Sequence, residues 1–191
     1  MKYKAIIVSA PSGAGKTSIV KRVLQSNLPV EFSTSATSRK RRENEIHGKD
    51  YYFFSPQEFK QHIDNDDFLE WEEVYQNQFY GTLRSEIERI WNKKRHVIFD
   101  VDVKGGLNLK NKFGNKTALS IFIKPPSIAE LKKRLENRAT ETPESIKKRL
   151  QRAEFEMSFA DEFDIVIVND RLDRAVEKTM QKITDFVECN D

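Results

Sequence analysis

The sequence predicts an α/β fold built around a parallel sheet, and three observations carry that reading. Four short, unbroken β-rich runs punctuate the chain, segments with apolar residues at helical spacing separate them, and the first run passes through a Gly-rich turn directly into a helix. Ala5-Ile6-Ile7-Val8 is the first run, expected to be a strand buried on both faces and bounded by Ala10-Pro11-Ser12-Gly13. From Thr17 onward Ile19, Val20, Val23 and Leu24 recur with helical period. His96-Val97-Ile98-Phe99-Asp100 and residues 118–123 read as two further buried strands, and residues 164–168 as a fourth. Residues 105–111 and 173–187 read as helices, the latter with Ala175, Val176, Thr179, Met180, Ile183, Phe186 and Val187 on or near one face.

Two insertions interrupt that core of residues 1–32, 97–126 and 161–191. Residues 33–96 carry strand candidates around Tyr51-Tyr52-Phe53-Phe54 and residues 69–74, with a helix announced by Ser55-Pro56-Gln57-Glu58. There Ser at the cap, Pro at the first helical position and Glu at the third make a capping box. Residues 127–160 read as two helices, one opening on a second box, Ser127 with Glu130, the other at Thr142-Pro143, with Thr140-Glu141-Thr142 as the turn between them. No internal repeat and no Gly/Ser-rich linker is found, so the insertions are expected to fold onto one core.

Composition bounds the function. The chain has 191 residues, 38% of them hydrophobic and 33% charged, which suits one polar, charge-rich domain. Its 33 basic and 30 acidic residues leave a net charge of +3, but the charge is unevenly placed. Arg39-Lys40-Arg41-Arg42 contributes four positive charges, and residues 127–152 hold eight basic against four acidic side chains. Two short basic segments on an otherwise acidic chain point to anionic-ligand sites more than to a nucleic-acid surface. A lone Cys189 has no partner for a bridge within the chain and reads as a packing residue of the last helix, and His47, His62 and His96 lack metal-ligand spacing. No segment approaches the ~20 apolar residues of a membrane helix, and residence in the cytoplasm is the expectation.

Ala10-Pro11-Ser12-Gly13-Ala14-Gly15-Lys16-Thr17 matches the phosphate-loop pattern G-x-x-x-x-G-K-[ST] except for Ala10 at the first glycine, and it has the strand before and helix after that the pattern requires. Small residues let backbone N–H groups wrap a phosphate, and the following helix adds its positive end. Lys16 would reach the β- and γ-phosphates and Thr17 would offer its hydroxyl to Mg²⁺. Asp100, ending a buried strand, stands where a P-loop protein keeps a carboxylate near that ion. Asp102 follows two residues later and, if the strand continues, points to the same side.

A P-loop serves several chemistries. Asp102-Val103-Lys104-Gly105 fits the D-x-x-G of GTP-hydrolysing switches, but the base-reading Asn-Lys-x-Asp is missing, since Asn111-Lys112-Phe113-Gly114 ends in Gly. Two basic segments suit phosphoryl transfer between two nucleotides, which must hold two polyanions together.

At this point the chain resembles the guanylate kinases over almost its whole length. The resemblance rests on residues 9–17, Ser35 through Arg39 to Arg42, Gly48-Lys49-Asp50-Tyr51, Glu70-Trp71, Tyr80-Gly81-Thr82, Asp100-Val101-Asp102, Pro125-Pro126-Ser127, Arg134 through Arg138 to Thr142, Lys148-Arg149-Leu150 and Val168-Asn169-Asp170. It implies an ATP:GMP phosphotransferase with a P-loop core, a GMP-binding subdomain at 33–96 and a helical lid at 127–160. Arg39, Arg42, Tyr51 and Tyr80 would hold the GMP phosphate, Glu70 and Asp102 would accept from guanine N1–H and its 2-amino group, and Ser35 and Thr82 would donate to O6. ATP would lie on Ala10, Pro11, Ser12, Gly13, Ala14, Gly15, Lys16 and Thr17, with Arg134, Arg138 and Arg149 from the lid and Asn169-Asp170 beside the adenine. Lys16, Arg42, Arg138 and Arg149 would stabilise the transferring group, and Thr17 with Asp100 would hold Mg²⁺. The chain departs from the family pattern in Ala10, in Arg41 and Asn44 where many members have Pro and Gly, and in a Glu70 to Tyr80 segment one residue longer than in some members. A catalytically silent module of the same family, binding phosphorylated peptides, is the alternative; the retained Lys16, Thr17 and lid arginines favour the enzyme.

Overall fold

The computed structural model describes residues 3–137 and 143–189 and divides the chain into two compact units, residues 1–3 with 29–99, and residues 4–28 with 100–191. The turn expected at Thr140-Glu141-Thr142 lies outside the described residues.

The unit containing the N-terminal run is α/β. Its strands β1 (Ala5–Ser9), β8 (Ala118–Lys124) and β9 (Ile165–Val168) are parallel, Ala5 opposite Ala118 and Ile121 opposite Ile165. All five residues of β1 and the first six of β8 are buried, as continuous apolar runs covered on both faces require. Helix α1 (Lys16–Leu24) packs on β1 and on α7 (Leu172–Glu188), which buries Ala175, Val176, Thr179 and Ile183. Helix α4 (Val103–Phe113) packs on β1 and β8, where Val103 meets Phe122, Ala160 and Phe163. Gly106 makes that approach possible, because a Cβ there would stand 2.3 Å from Ser9 Oγ. Helices α5 (Ile128–Glu136) and α6 (Pro143–Met157) share a small core of Leu131, Leu135, Ile146 and Ala153.

Four expectations need correction here. β9 is not buried on both faces: Ile167 is buried but Val166 and Val168 are exposed, because nothing covers the outer face among the described residues. Ser127 does cap α5 through the Glu130 N–H, but the Glu130 carboxylate turns to Arg134 instead of closing the box. The carboxylate finds a better partner in a cation one turn on than in a second backbone N–H. Cys189 ends α7 exposed rather than packed. Finally α4 begins two residues earlier than its apolar pattern suggested, with consequences for Asp102 given below.

The other unit carries a parallel pair, β2 (Val30–Phe32) beside residues 96–98 of β7 (His96–Val101), and a four-stranded sheet in the order β4 (Tyr52–Phe53), β3 (Ala36–Thr37), β6 (Gln78–Leu83), β5 (Phe68–Tyr75). Helix α2 (Pro56–Asp64) opens on the expected capping box, with both reciprocal bonds formed between Ser55 and Glu58, and plants Phe59 against Phe68 and Phe79 at ring separations of 4.4 and 5.5 Å. These rings with Ala36 and Leu83 make a core of the unit's own.

Helix α3 (Arg84–Asn92) was not legible in the sequence, since it buries only Ile87, Ile90 and, unusually, Glu86. Glu86 accepts from the Thr34 N–H at 3.0 Å and the Tyr52 hydroxyl at 2.7 Å, and Arg89 bridges it to Glu31. Burial pushes the Glu86 carboxyl upward, but Arg89, the Thr34 N–H and the Tyr52 hydroxyl outweigh it and hold the group below the usual range. A depressed native value means stability that is present above the unfolded value of about 4.5 and is lost as pH falls through the native one. Glu86→Gln is therefore expected to lower stability at pH 7 by about 1–3 kcal/mol and to flatten the acid limb below about pH 4.5, read by denaturant titration across pH. An acid limb as steep as wild type would remove Glu86 from this role.

Candidate active site

The phosphate loop runs from Ala10 to Thr17 between β1 and α1. Gly13 and Gly15 sit at φ 93° and 95°, the left-handed region that a Cβ disfavours, and Gly15 N-caps α1 without any side-chain bond. No acidic residue stands in the first turn of α1, so no carboxylate of its own competes for the N–H groups and positive dipole end there. Ala10, the departure from the pattern, is buried and outside the positive-φ set, so its Cβ carries no backbone strain.

Lys16 Nζ lies 2.6 Å from Asp100 Oδ1 and donates to the Val101 carbonyl at 2.5 Å, while Thr17 Oγ1 donates to Asp100 Oδ2 at 3.4 Å. The strand-end carboxylate thus meets both the loop's cation and its hydroxyl. Among the described residues no three His, Cys, Asp or Glu side chains converge as a metal site. The Thr17 and Asp100 oxygens nonetheless fit a hard divalent cation such as Mg²⁺, which takes one or two protein oxygens and fills its shell with phosphate and water.

Asp102 needs correction. β7 ends at Val101, and Asp102 leaves the strand to N-cap α4, its Oδ1 accepting from the Gly105 N–H at 2.8 Å. The two acids are not a strand pair; an Asp directly before the helix start at Val103, three residues ahead of Gly105, is better satisfied as a cap.

The lid-segment arginines divide. Arg149 on α6 donates to Ser12 Oγ at 2.7 Å, which places it on the phosphate loop. Arg134 on α5 bonds Glu130 and the Asn169 carbonyl. Arg138 lies outside the described residues. Asn169 is buried, with its Nδ2 donating to the Ala14 carbonyl at 2.7 Å, and a Cβ on Gly15 would stand 2.3 Å from that nitrogen. Its side chain therefore braces the loop from beneath, a role that sequence reading missed. Asp170 is exposed and bonds the Arg171 N–H.

In the other unit, Arg39, Tyr51 and Tyr80 gather. Arg39 stacks over Tyr51 at 5.0 Å and Phe53 at 5.5 Å, and the Tyr51 and Tyr80 rings are 6.2 Å apart. The fork of Arg39 is engaged by both oxygens of Glu45, at 2.5 and 2.7 Å, and Glu45 also accepts from the Arg42 N–H. Glu45 was not singled out in the sequence; no spacing rule marks an acid folded back across a loop. The Arg39 hydrogen bond holds its carboxyl down to about 2, so it stays ionised. Arg42 itself is exposed. Tyr80 stands in register with Glu72 and Thr37, and the β5–β6 pairing is irregular between Phe68 and Glu70 and between Glu73 and Tyr75. Glu70 faces Thr82 across the β5–β6 hairpin, and both are buried. The Thr82 hydroxyl donates to Glu70 Oε1 at 2.7 Å, so its proton serves the carboxylate. Ser35, half-buried, takes the Tyr52 N–H on its carbonyl.

The α/β unit with its glycine-bent loop, Lys16 and strand-end Asp100 defines a P-loop nucleotide-binding protein. The comparisons take the step from class to family. The guanylate kinase family model matches residues 2–186. A guanylate kinase of Bacteroides thetaiotaomicron is 50% identical over 98% of this chain and 91% of its own length, and one of Salinibacter ruber is 52% identical over 95% and 96%. The crystal structure of guanylate kinase from Anaplasma phagocytophilum superposes with a TM-score of 0.77 at 27% identity, over 97% of this chain and 87% of that one. The chain belongs to the guanylate kinase family.

Proposed function

We propose that the chain transfers the γ-phosphoryl group of ATP to GMP, and to dGMP, giving ADP and GDP, as a cytoplasmic step of purine nucleotide metabolism. The observation that carries this reading is a phosphate loop with its lysine, hydroxyl and carboxylate assembled, in a chain of the guanylate kinase family. Residues 33–96 serve as the GMP-binding subdomain and 127–160 as the lid, with no partner other than the two nucleotides required.

On the donor side the N–H groups of residues 10–17 cradle the phosphates, Lys16 and the arginines 134, 138 and 149 take the charge that develops on the transferring group, and Asn169 and Asp170 border the adenine. Mg²⁺ held through Thr17 and Asp100 would neutralise charge on the phosphate oxygens. On the acceptor side Arg39, Arg42, Tyr51 and Tyr80 bind the phosphate of GMP. Glu45, already on the Arg39 fork, either yields to that phosphate or shares the guanidinium with it. Glu70, fixed by Thr82, and Asp102 accept from guanine N1–H and its 2-amino group, and Ser35 donates to O6.

No general base is required, because a phosphate monoester with a second pKa near ~6 is largely ionised at neutral pH. Catalysis is then positioning plus charge neutralisation, with lid closure excluding the water that would otherwise take the γ-phosphate. Adenine lacks the 2-amino group and has an acceptor at N1, so it would offer the Glu70 carboxylate no donor where guanine offers one. ADP release measured with ATP, Mg²⁺ and each monophosphate in turn is expected to show GMP and dGMP as acceptors and AMP, CMP and UMP at least ~10³-fold poorer in kcat/KM. Comparable turnover of AMP would reject the assignment of Glu70.

A further inference from the structure

We infer that Arg152 is a positioning residue for Asp102, tying helix α6 to the acid that the proposed function sets against the guanine base; the inference rests on that assignment of Asp102. Asp102 is almost fully committed. Its carbonyl accepts from Ser9 Oγ at 3.1 Å and from the Gly106 N–H at 2.9 Å, and its Oδ1 accepts from the Gly105 N–H. The oxygen that remains, Oδ2, faces Arg152 Nη2 at 3.6 Å. Arg152 is itself held, its Nε donating to Glu156 Oε1 at 2.7 Å one turn further along α6.

Glu156 is a buried carboxylate that the transfer chemistry does not use. Burial pushes it upward, Arg152 opposes that, and the nearby Asp102 adds to the rise while Lys16 works against it. Arg152 thus stands between two acids that would otherwise face each other. Arg149, three residues earlier on the same helix face, donates to Ser12 of the phosphate loop. A single helix of 15 residues therefore holds the phosphate loop with one arginine and Asp102 with the next. The resemblance to the family assigned Arg152 nothing; it is visible only where α6 meets the start of α4.

The physical consequence is preorganisation. With Oδ1 capped and Oδ2 drawn toward Arg152, the Asp102 carboxylate keeps one orientation before a base arrives, and no rotation about Cβ–Cγ has to be frozen on binding. Arg152 touches no reacting atom in this scheme, so its loss should appear in acceptor recognition and not in the chemical step.

The test is steady-state kinetics of Arg152→Ala, Arg152→Gln, Asp102→Asn and the Arg152→Ala/Asp102→Asn double variant, with GMP and with inosine monophosphate, which keeps O6 and N1–H but lacks the 2-amino group. Arg152→Ala is expected to raise KM for GMP about tenfold, with kcat and the KM for ATP within about twofold, and to shrink the preference for GMP over inosine monophosphate by a similar factor. Arg152→Gln, which preserves the stem, should behave alike and carries the test if the alanine variant fails to fold. In the Asp102→Asn background the Arg152 substitution should add nothing. A raised KM for GMP in Asp102→Asn with none in the Arg152 variants overturns this inference alone. An unchanged KM in Asp102→Asn overturns it together with the assignment of Asp102. A parallel rise in the KM for ATP would mark a helix merely loosened and also overturn it.

Discussion

Replacing Lys16 with alanine will lower kcat by about 10³-fold, the range seen when one preorganised charge on a developing anion is removed. The expectation follows from where the ammonium stands. It projects from the first turn of α1, whose N-terminus carries no side-chain cap, and is held by Asp100 and the Val101 carbonyl. Asp100 does not lose every partner in the variant, because Thr17 still donates to it. The fold should therefore survive, with a stability loss of about 1–3 kcal/mol for the partly unpaired carboxylate. Lys16→Met, which keeps the stem, should lose turnover to the same degree. Single-turnover rates at saturating ATP and GMP, with thermal melts as control, decide the matter; a folded variant retaining a tenth of wild-type turnover would remove Lys16 from catalysis.

The second large effect is expected at Arg39. Its guanidinium is a bidentate fork, stacked on Tyr51 and Phe53 and currently filled by Glu45. A phosphate oxygen pair makes the same two charge-assisted bonds, each contributing about 1.5–3 kcal/mol. Arg39→Ala should consequently lower kcat/KM for GMP by about 10³-fold, mostly through KM, and leave the KM for ATP unchanged. Arg39→Lys keeps the charge but not the fork, and should fall between the two. Arg42 is exposed and meets Glu45 through its backbone, so Arg42→Ala should cost less GMP affinity than Arg39→Ala. An equal KM for GMP in wild type and Arg39→Ala would contradict the acceptor assignment.

What the amino-acid sequence conveyed, and what it withheld, divides along physical lines. β1, β8 and the phosphate loop were legible because residue type alone dictates them: an unbroken apolar run has one stable environment, and the loop's glycines at positive φ have few substitutes. α2 announced itself through a cap that is entirely local. β2 and β3 are three and two residues long and owe their existence to partners elsewhere in the chain, so no window of sequence contains the reason for them. α3 escaped because its third buried residue is Glu86, which is stable inside only by virtue of Thr34, Tyr52 and Arg89.

The site shows the same division. Lys16, Thr17 and Asp100, singled out in the sequence, lie within bonding distance of one another. Side chains whose role depends on a tertiary partner were misread or unseen. Asp102 is a helix cap and not a strand residue, Asn169 braces the loop, Thr82 serves Glu70, and Glu45 fills the Arg39 fork. Among the described residues no helix is long and apolar enough to cross a membrane, in line with the sequence reading.

The central claim is transfer to GMP, as distinct from hydrolysis of ATP. ATP labelled at the γ-phosphorus, incubated with Mg²⁺ and GMP, tests it most directly. The label is expected in GDP in a 1:1 ratio with ADP formed, and no appreciable ADP should form when GMP is left out. Label released as inorganic phosphate at a rate indifferent to GMP would contradict the account.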